Sequence, residues 1–152
     1  MGKRQSQGAA LLRIVLGAIL VMHGYRALTI IGWSATADFI ARAGWFPPAL
    51  TTTLAGYLIV AHLVGGALLI LGVWTEPAAL AQVPIMATLV FFIHSNEGFF
   101  IRAVVDAGGQ PAVGGYEYAL LILAATISVS LLGAGDFALD RGARRARRLS
   151  QP

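Results

Sequence analysis

Long runs of apolar residues constrain this chain more than any other feature. A helix needs about 20 mostly apolar residues to cross the roughly 30 Å hydrocarbon core of a bilayer. Four candidate spans cover about residues 9–31, 50–73, 77–93 and 116–132. Hydrophobic residues make up 57% of the chain and charged residues only 12%, against about 25% charged in an ordinary soluble domain. The sequence therefore predicts an all-α membrane protein, a four-transmembrane-helix bundle forming one domain over residues 1–152.

The positive charges are concentrated in the two tails. Lys3 and Arg4 precede the first span, and a basic tail at residues 141–152 carries Arg141, Arg144, Arg145, Arg147 and Arg148. The two long loops carry only Arg42 and Arg102. The positive-inside rule then predicts an N-in/C-in topology, with both tails in the cytoplasm. A basic tail beside a span is expected to face anionic membrane lipid, not nucleic acid.

The connections between the spans differ in character. Residues 32–48 are amphipathic and aromatic, which predicts an interfacial helix in the first outer loop, capped by Ser34. Pro84 is expected to kink the third span. The segment 95–115 is too apolar for a free loop, so we expect it to lie on the bilayer surface or to fold back against the bundle.

Ionisable residues at membrane depth are costly and usually face the bundle interior or a cavity. His23 and Arg26 are three residues apart, so they share a helix face. His62 is expected deeper, near the middle of the second span, on a face that includes Gly65 and Gly66. Each of these residues could instead have a structural role. The Arg26 side chain could reach outward to the membrane surface, and the imidazoles of His23 and His62 could each form a hydrogen bond with the backbone.

A second group of polar residues lies near the outer boundary. His94 ends the third span, Arg102 lies in the following loop and Glu117 opens the fourth span. Glu117 could simply favour a helix N-terminus, but its stripe with Leu121, Ala124 and Ser128 predicts that it faces the bundle. We expect this group to converge with His23 and Arg26 in the outer half, helped by Arg–Glu pairing.

Two further polar groups are expected at the cytoplasmic boundary. Arg13 lies about one turn into the first span, where its side chain is predicted to reach lipid phosphate. Asp136, Asp140 and Arg141 follow the fourth span and are predicted to form an interfacial cap.

The candidate ligand-binding residues are therefore His23, Arg26, His62, His94, Arg102 and Glu117. Imidazole can donate a hydrogen bond to a quinone carbonyl or exchange a proton with it, so a pocket with these edges and apolar walls suits quinone or a similar amphipathic ligand. The three histidines lie at different depths, so no metal site is predicted. Because the chain has no cysteine, it can form neither disulfides nor cysteine-ligated iron–sulfur clusters. No intrinsic cofactor is predicted.

The chain resembles the DoxX family of small four-helix membrane proteins. The resemblance covers nearly the whole chain, at residues 11–17, 23–26, 63–69, 98–100, 114–121 and 133–140. It implies a multi-pass protein of a bacterial or archaeal plasma (inner) membrane, and some members are associated with quinone-linked oxidoreductases. His62 stands where the family more often has glutamate, and Arg26 where it usually has lysine.

Three functions are compatible with these features. The first is a membrane subunit or accessory protein of a quinone-linked oxidoreductase, with a partner supplying the electrons. The second is a non-catalytic scaffold or assembly factor that docks a soluble enzyme. The third is a transporter for a proton or small solute. The sequence lacks the repeated pair of broken helices that many transporters have, and four short helices would need to form a homo-oligomer to surround a pore.

Overall fold

The computed structural model describes residues 2–42, 44–105 and 111–140. The predicted basic tail, including Arg141, lies outside the described residues. Within them, three helices are long and apolar enough to cross a membrane: α1 (Lys3–Ile31), α3 (Pro48–Leu71) and α4 (Thr75–Ile93). A shorter helix, α2 (Trp33–Arg42), follows α1. The last helix, α5 (Glu117–Leu132), is apolar but has only 16 residues.

These bounds lie close to the predicted spans, with α1 starting earlier than expected. A helix, α2, is present where the interfacial helix was predicted, but Ser34 does not cap it; its position at the membrane interface stays a prediction. The helix starts at Trp33, and its first turn is closed by the Thr36 amide donating to the Gly32 carbonyl at 3.1 Å. Ser34 lies inside that first turn, because Gly32, with a φ of 89°, supplies the change of direction between α1 and α2.

The three long helices all depart from regular α-helix. Each contains a wider π-helical stretch, at Arg26–Ile31, Ala61–Gly65 and Leu89–Ile93. Such stretches occur often at functional sites. Helix α4 is also interrupted, with α-helical segments at Thr75–Leu80 and Val83–Thr88. Pro84 has no N–H to continue the ladder, so the kink predicted there is confirmed.

Helices α1 and α3 approach closely through small residues. A β-carbon at Gly17 would lie 2.7 Å from the Gly66 carbonyl oxygen, and one at Gly24 would lie 2.9 Å from Cγ of Leu63. Small residues of this kind let helix backbones meet in a membrane. Helix α5 packs against α1 and both segments of α4, and the core between them is formed by Leu16, Leu20, Leu69, Ala79, Ile85, Met86, Val90, Ile122, Leu123 and Val129.

The predicted stripe on α5 faces away from this core. Leu121 is 65% exposed and Ala124 is also exposed, whereas the buried face carries Ile122, Thr126 and Val129. The expectation that the stripe turns toward the bundle was therefore wrong. Small residues alone did not mark the inward side, because on this helix the larger branched residues fill the core.

The two ends of the helices have different structures. The terminal end contains the start of α1, the turn between α3 and α4, and residues 133–140. The hairpin end contains α2 and the segment from residue 95 to 116. The described residues of that segment turn back on themselves through a 3₁₀ turn at Ser95–Glu97 and an antiparallel pair of strands, β1 (Arg102–Val105) and β2 (Pro111–Gly114), and the Tyr116 amide donates to the Gly98 carbonyl at 3.1 Å. The predicted position of the segment, on the bilayer surface or against the bundle, stays a prediction.

Candidate functional site

His94 and Glu97 form a close pair at the hairpin end. Nδ1 of His94 lies 2.5 Å from Oε2 of Glu97. The same carboxylate oxygen accepts the Gly115 amide at 3.2 Å, and the Glu97 carbonyl accepts Nη2 of Arg102 at 3.1 Å. The 3₁₀ turn after α4 places the pair three residues apart on one side. Glu97 therefore orients His94 and ties the start of the folded-back segment to its end.

Glu117 holds the same segment from the α5 side. Its Oε1 accepts the Ile101 amide at 3.0 Å, and its own amide donates to the Phe99 carbonyl at 3.0 Å. Within the described residues, Glu117 forms no ion pair with Arg26 or Arg102, so the expected Arg–Glu pairing is not formed. The Ile101 amide, a backbone group of the folded-back segment, therefore supplies the hydrogen-bond donor that was expected from an arginine side chain.

His23 and Arg26 lie on an exposed face of α1. Nδ1 of His23 lies 2.9 Å from the Ile19 carbonyl oxygen, one turn earlier, and its ring stacks on Tyr118 with centroids 5.9 Å apart. The Arg26 side chain is exposed and forms no hydrogen bond or ion pair in the described part of the chain. These contacts agree with the structural alternatives: a histidine satisfied by its own helix and an arginine that faces outward.

His62 is buried and faces the bundle, as predicted. It is 3% exposed and lies in the π-helical stretch of α3, between Ala61 and Gly65. It lies near the middle of the second span, α3 (Pro48–Leu71), as predicted. A β-carbon at Gly24 would lie 3.0 Å from Cβ of His62, so His62 is level with Gly24 and is not, as had been expected, deeper than His23.

Gln82 was not singled out from the sequence and is fully buried beside His62. Its Nε2 donates to the Ala61 carbonyl at 2.5 Å. A β-carbon at Gly65 would lie 2.4 Å from that nitrogen, so only glycine leaves room for the amide. The signal that could have found Gln82 is its isolation, as a polar residue inside an apolar span.

Side chains also bridge α3 and α4 in the opposite direction. The hydroxyl of Tyr57, on α3, donates to the Ala81 carbonyl at 2.6 Å, at the break in α4. Gln82, in that break, donates to the π-helical stretch of α3. Each helix thus supplies a hydrogen-bond donor to the irregular part of the other.

An apolar cavity of about 100 Å³ lies beside these bridges, between α2, α3 and α4. Pro84, two residues after the break in α4, is part of its wall. His94 borders its wall, because the His94 ring lies 6.2 Å from the ring of Phe39. The lining residues are Phe39, Ile40, Phe46, Leu54, Tyr57, Leu58, Pro84, Ile85, Thr88, Leu89 and Ile93.

Comparison with protein-family models gives a match to DoxX over residues 8–95. This stretch is more than half of the chain. The chain belongs to the DoxX family. No curated protein and no solved structure matches it. Together with three apolar helices of sufficient length, the family makes this chain a membrane protein.

The DoxX match covers only some of the polar residues described above. His23, Arg26, His62, Gln82 and His94 lie inside residues 8–95. Glu97, Arg102 and Glu117 lie beyond it, in the folded-back segment and α5. The cavity is therefore built from matched residues, whereas the groups that orient His94 come from outside the match.

The candidate residues of this DoxX protein form two separate groups. His94 and Arg102 meet at Glu97, while His62 and His23 lie at one level of the bundle. In the described residues no hydrogen bond or ion pair joins one group to the other. No three histidine, aspartate or glutamate side chains of that part of the chain lie close enough together to hold a metal ion.

The terminal end contains a polar group of its own, centred on Arg13. This side chain is 0% exposed, which contradicts the predicted reach to lipid phosphate. It donates to four carbonyl oxygens: Ile70 at 2.9 Å, Ala134 at 2.8 Å, Asp136 at 3.3 Å, and Leu69. Arg13 thus caps the C-terminal end of α3, where carbonyls have no helical partner.

The segment after α5 covers this arginine. Oδ1 of Asp136 accepts the Ser6 hydroxyl at 2.5 Å, and Oδ2 of Asp140 accepts the Trp74 amide at 2.8 Å. The cap predicted from Asp136 and Asp140 is therefore confirmed for these two residues; Arg141 lies outside the described part of the chain. The cap shields Arg13 from lipid, which explains why it does not reach outward.

Proposed function

We propose that this DoxX protein is a membrane subunit or accessory protein of a quinone-linked oxidoreductase system, and that it binds quinone or a similar amphipathic ligand at the hairpin end. The observation that carries the proposal is the apolar cavity between α2, α3 and α4. Ligand sites are typically concave, mostly apolar and edged with a few polar groups. Here the edge is His94, which contacts the wall residue Phe39.

The proposal includes a topology. Helix α5 is the fourth span, shortened at the terminal end because residues 133–140 complete the crossing as a cap. The positive tails place both termini in the cytoplasm, so the hairpin end faces outward in the plasma membrane of a bacterium or archaeon. The cavity then lies in the outer half of the bilayer, with α2 along the interface.

His94 has the chemistry that such a ligand needs. When the imidazole donates its Nδ1–H to Glu97, its Nε2 carries a lone pair that can accept a hydrogen bond or a proton. The sequence predicts no cofactor of the chain's own. Electrons would therefore come from a partner oxidoreductase, and the role of this chain would be to bind and orient the quinone.

The experiment measures quinone in the purified protein. The wild type is extracted from membranes in a mild detergent, and bound quinone is measured by mass spectrometry before and after quinone is added. Leu54→Trp fills the cavity and is expected to remove the bound quinone. Leu131→Trp places the same ring at a position that is 81% exposed and distant from the cavity, and should leave binding unchanged.

Two further variants test the residues chosen from the sequence. His23→Ala and Glu117→Ala remove side chains that do not line the cavity, so both variants should keep quinone binding, and a loss in either would place the ligand elsewhere in the bundle. The proposal is wrong if the wild type carries no quinone and takes up none when it is added. A protein without quinone that still co-purifies with a soluble oxidoreductase would instead be a scaffold.

A further inference from the structure

The apolar cavity is smaller than the ring that it is proposed to bind. Its volume is about 100 Å³, whereas an apolar cavity of about 150 Å³ holds a benzene molecule. A quinone ring carries two oxygens and further substituents, so it is larger than benzene. One of the three helices that form the wall must therefore shift before such a ring can be enclosed.

Two hydrogen bonds fix the side of the cavity that α3 and α4 form. The hydroxyl of Tyr57 donates to the Ala81 carbonyl at 2.6 Å, and Nε2 of Gln82 donates to the Ala61 carbonyl at 2.5 Å. Tyr57 itself lines the cavity. Inside a membrane no water replaces such bonds when they break, so α3 and α4 are expected to stay together.

Helix α2 closes the remaining side with an apolar face. Phe39 and Ile40 line the cavity, and Ala37 and Ile40 pack against Ala55 of α3. Toward α4 the contact is between aromatic rings, with the Phe39 and His94 ring centroids 6.2 Å apart. Apolar contacts are non-directional, so breaking them leaves no buried polar group unpaired.

A hydrogen bond at the start of α2 fastens it to α3. Nε1 of Trp33 donates to the Thr52 carbonyl at 3.1 Å. Both residues are exposed. Because water can take the place of either partner, the net contribution of such a bond is small. This fastening can therefore open and form again at little cost.

Glycines in the left-handed region of φ flank α2 at both ends. Gly32, before the helix, has a φ of 89°, and Gly44, after it, has a φ of 72°. A β-carbon at either position would meet no atom within 4 Å, so close packing does not require glycine there. What requires glycine is the backbone conformation, and glycine also has the greatest conformational freedom. Both ends of α2 can therefore turn without moving the helices around them.

We propose that α2 is a hinged lid over the ligand site. It turns about Gly32 and Gly44, lifts from Ala55, and admits the ring from the surrounding membrane between α2 and α4. The identity of the ring rests on the proposed function, whereas the opening is a property of the protein without ligand. Helices α3 and α4 remain joined while α2 moves, so the rest of the bundle keeps its packing.

The test measures how often the surface under α2 is uncovered. The chain has no natural cysteine, so Ala55→Cys introduces one thiol beneath α2, at a position that is 0% exposed. Its labelling by N-ethylmaleimide, in mild detergent without quinone, reports local opening. Ala79→Cys is the matched control, because Ala79 is also 0% exposed but lies in the core among the long helices and closer to the end of its own helix. We expect Ala55→Cys to be labelled at least about tenfold faster.

Two tryptophan variants test the fastening. Trp33→Phe removes the hydrogen bond at the start of α2 and should speed labelling of Ala55→Cys about two- to tenfold, the effect of one net hydrogen bond, without changing Ala79→Cys. Trp74→Phe makes the same change at a tryptophan that is 69% exposed at the terminal end, and should leave both rates unchanged. Should Ala55→Cys fail to fold, Ile40→Cys places the thiol on the α2 side of the same contact and gives the same comparison.

The outcomes separate the lid from the proposed function. Fast labelling of Ala55→Cys in a protein that takes up no quinone would refute the proposed function and leave the lid intact. Equal labelling of Ala55→Cys and Ala79→Cys would overturn the lid, because both thiols would then be reached only through global unfolding. An unchanged rate in Trp33→Phe would overturn the hydrogen bond as its fastening.

Discussion

Replacing Arg13 with methionine should destabilise the terminal end of the bundle. Arg13 donates four hydrogen bonds to carbonyls of α3 and of the cap formed by residues 133–140. A hydrogen bond to a charged group contributes about 1.5–3 kcal/mol, but burying the guanidinium costs several kcal/mol. Methionine keeps the apolar stem but removes the donor from these carbonyls, although the Leu69 carbonyl still accepts the Gly72 amide at 3.2 Å. Because a buried acceptor left without a donor costs about 1–3 kcal/mol, we expect the free energy of unfolding to fall by about 3 kcal/mol.

The assay uses the absence of cysteine from the natural chain. Ala138→Cys introduces one thiol at a buried position of the cap, and its labelling by a maleimide in mild detergent reports opening of the cap. A loss of about 3 kcal/mol corresponds to labelling more than about 100-fold faster. Unfolding in increasing sodium dodecyl sulfate measures the global effect on the same protein.

Arg26→Met is the matched control. Arg26 is on the same helix but is exposed and unbonded in the described residues, so its loss should change stability by less than about 0.5 kcal/mol. Arg13→Lys should fall between the two, because one ammonium group cannot reach all four carbonyls. Equal labelling rates in Arg13→Met and Arg26→Met would refute the view that the buried guanidinium holds the cap.

Three other predictions concern packing, the helix break and topology. Gly17→Ala should lower stability by about 1–3 kcal/mol, since its β-carbon would meet α3, whereas Gly8→Ala has open space and should be neutral or stabilising in the same detergent unfolding assay. Tyr57→Phe should cost about 0.5–1.5 kcal/mol through the lost bond to α4, and unchanged stability would argue against that bridge. In intact cells an impermeant maleimide should label Trp45→Cys at once and Lys3→Cys only after permeabilisation; the reverse pattern would overturn the N-in/C-in topology.

The three helices that are long and apolar enough to cross a membrane were readable from the sequence because length and apolarity are local properties. The interruption of α4 near Pro84 and the helix α2 followed from short-range signals of the same kind. The start of α1 at Lys3 was missed, because a charged first turn of a helix does not look like part of a span. The π-helical stretches were also missed, since no residue type marks them.

The side-chain partners were harder to predict because they depend on distant contacts. Arg13 bonds to Ala134 and Asp136, more than 120 residues later, so its buried state had no local signal. His94 was predicted to lie near Glu117. Its carboxylate partner in the structure is Glu97, which is only three residues away in the sequence. His62 was predicted inward from its small-residue stripe, and that stripe was informative because Gly65 makes room for Gln82.

The bridges between α3 and α4 also bear on biogenesis. Alone in hydrocarbon, α3 would expose the Tyr57 hydroxyl and α4 would expose the Gln82 amide, and each unpaired group costs several kcal/mol there. Paired, each donor finds a carbonyl of the other helix. We therefore expect the translocon to release α3 and α4 into the lipid as one helical hairpin.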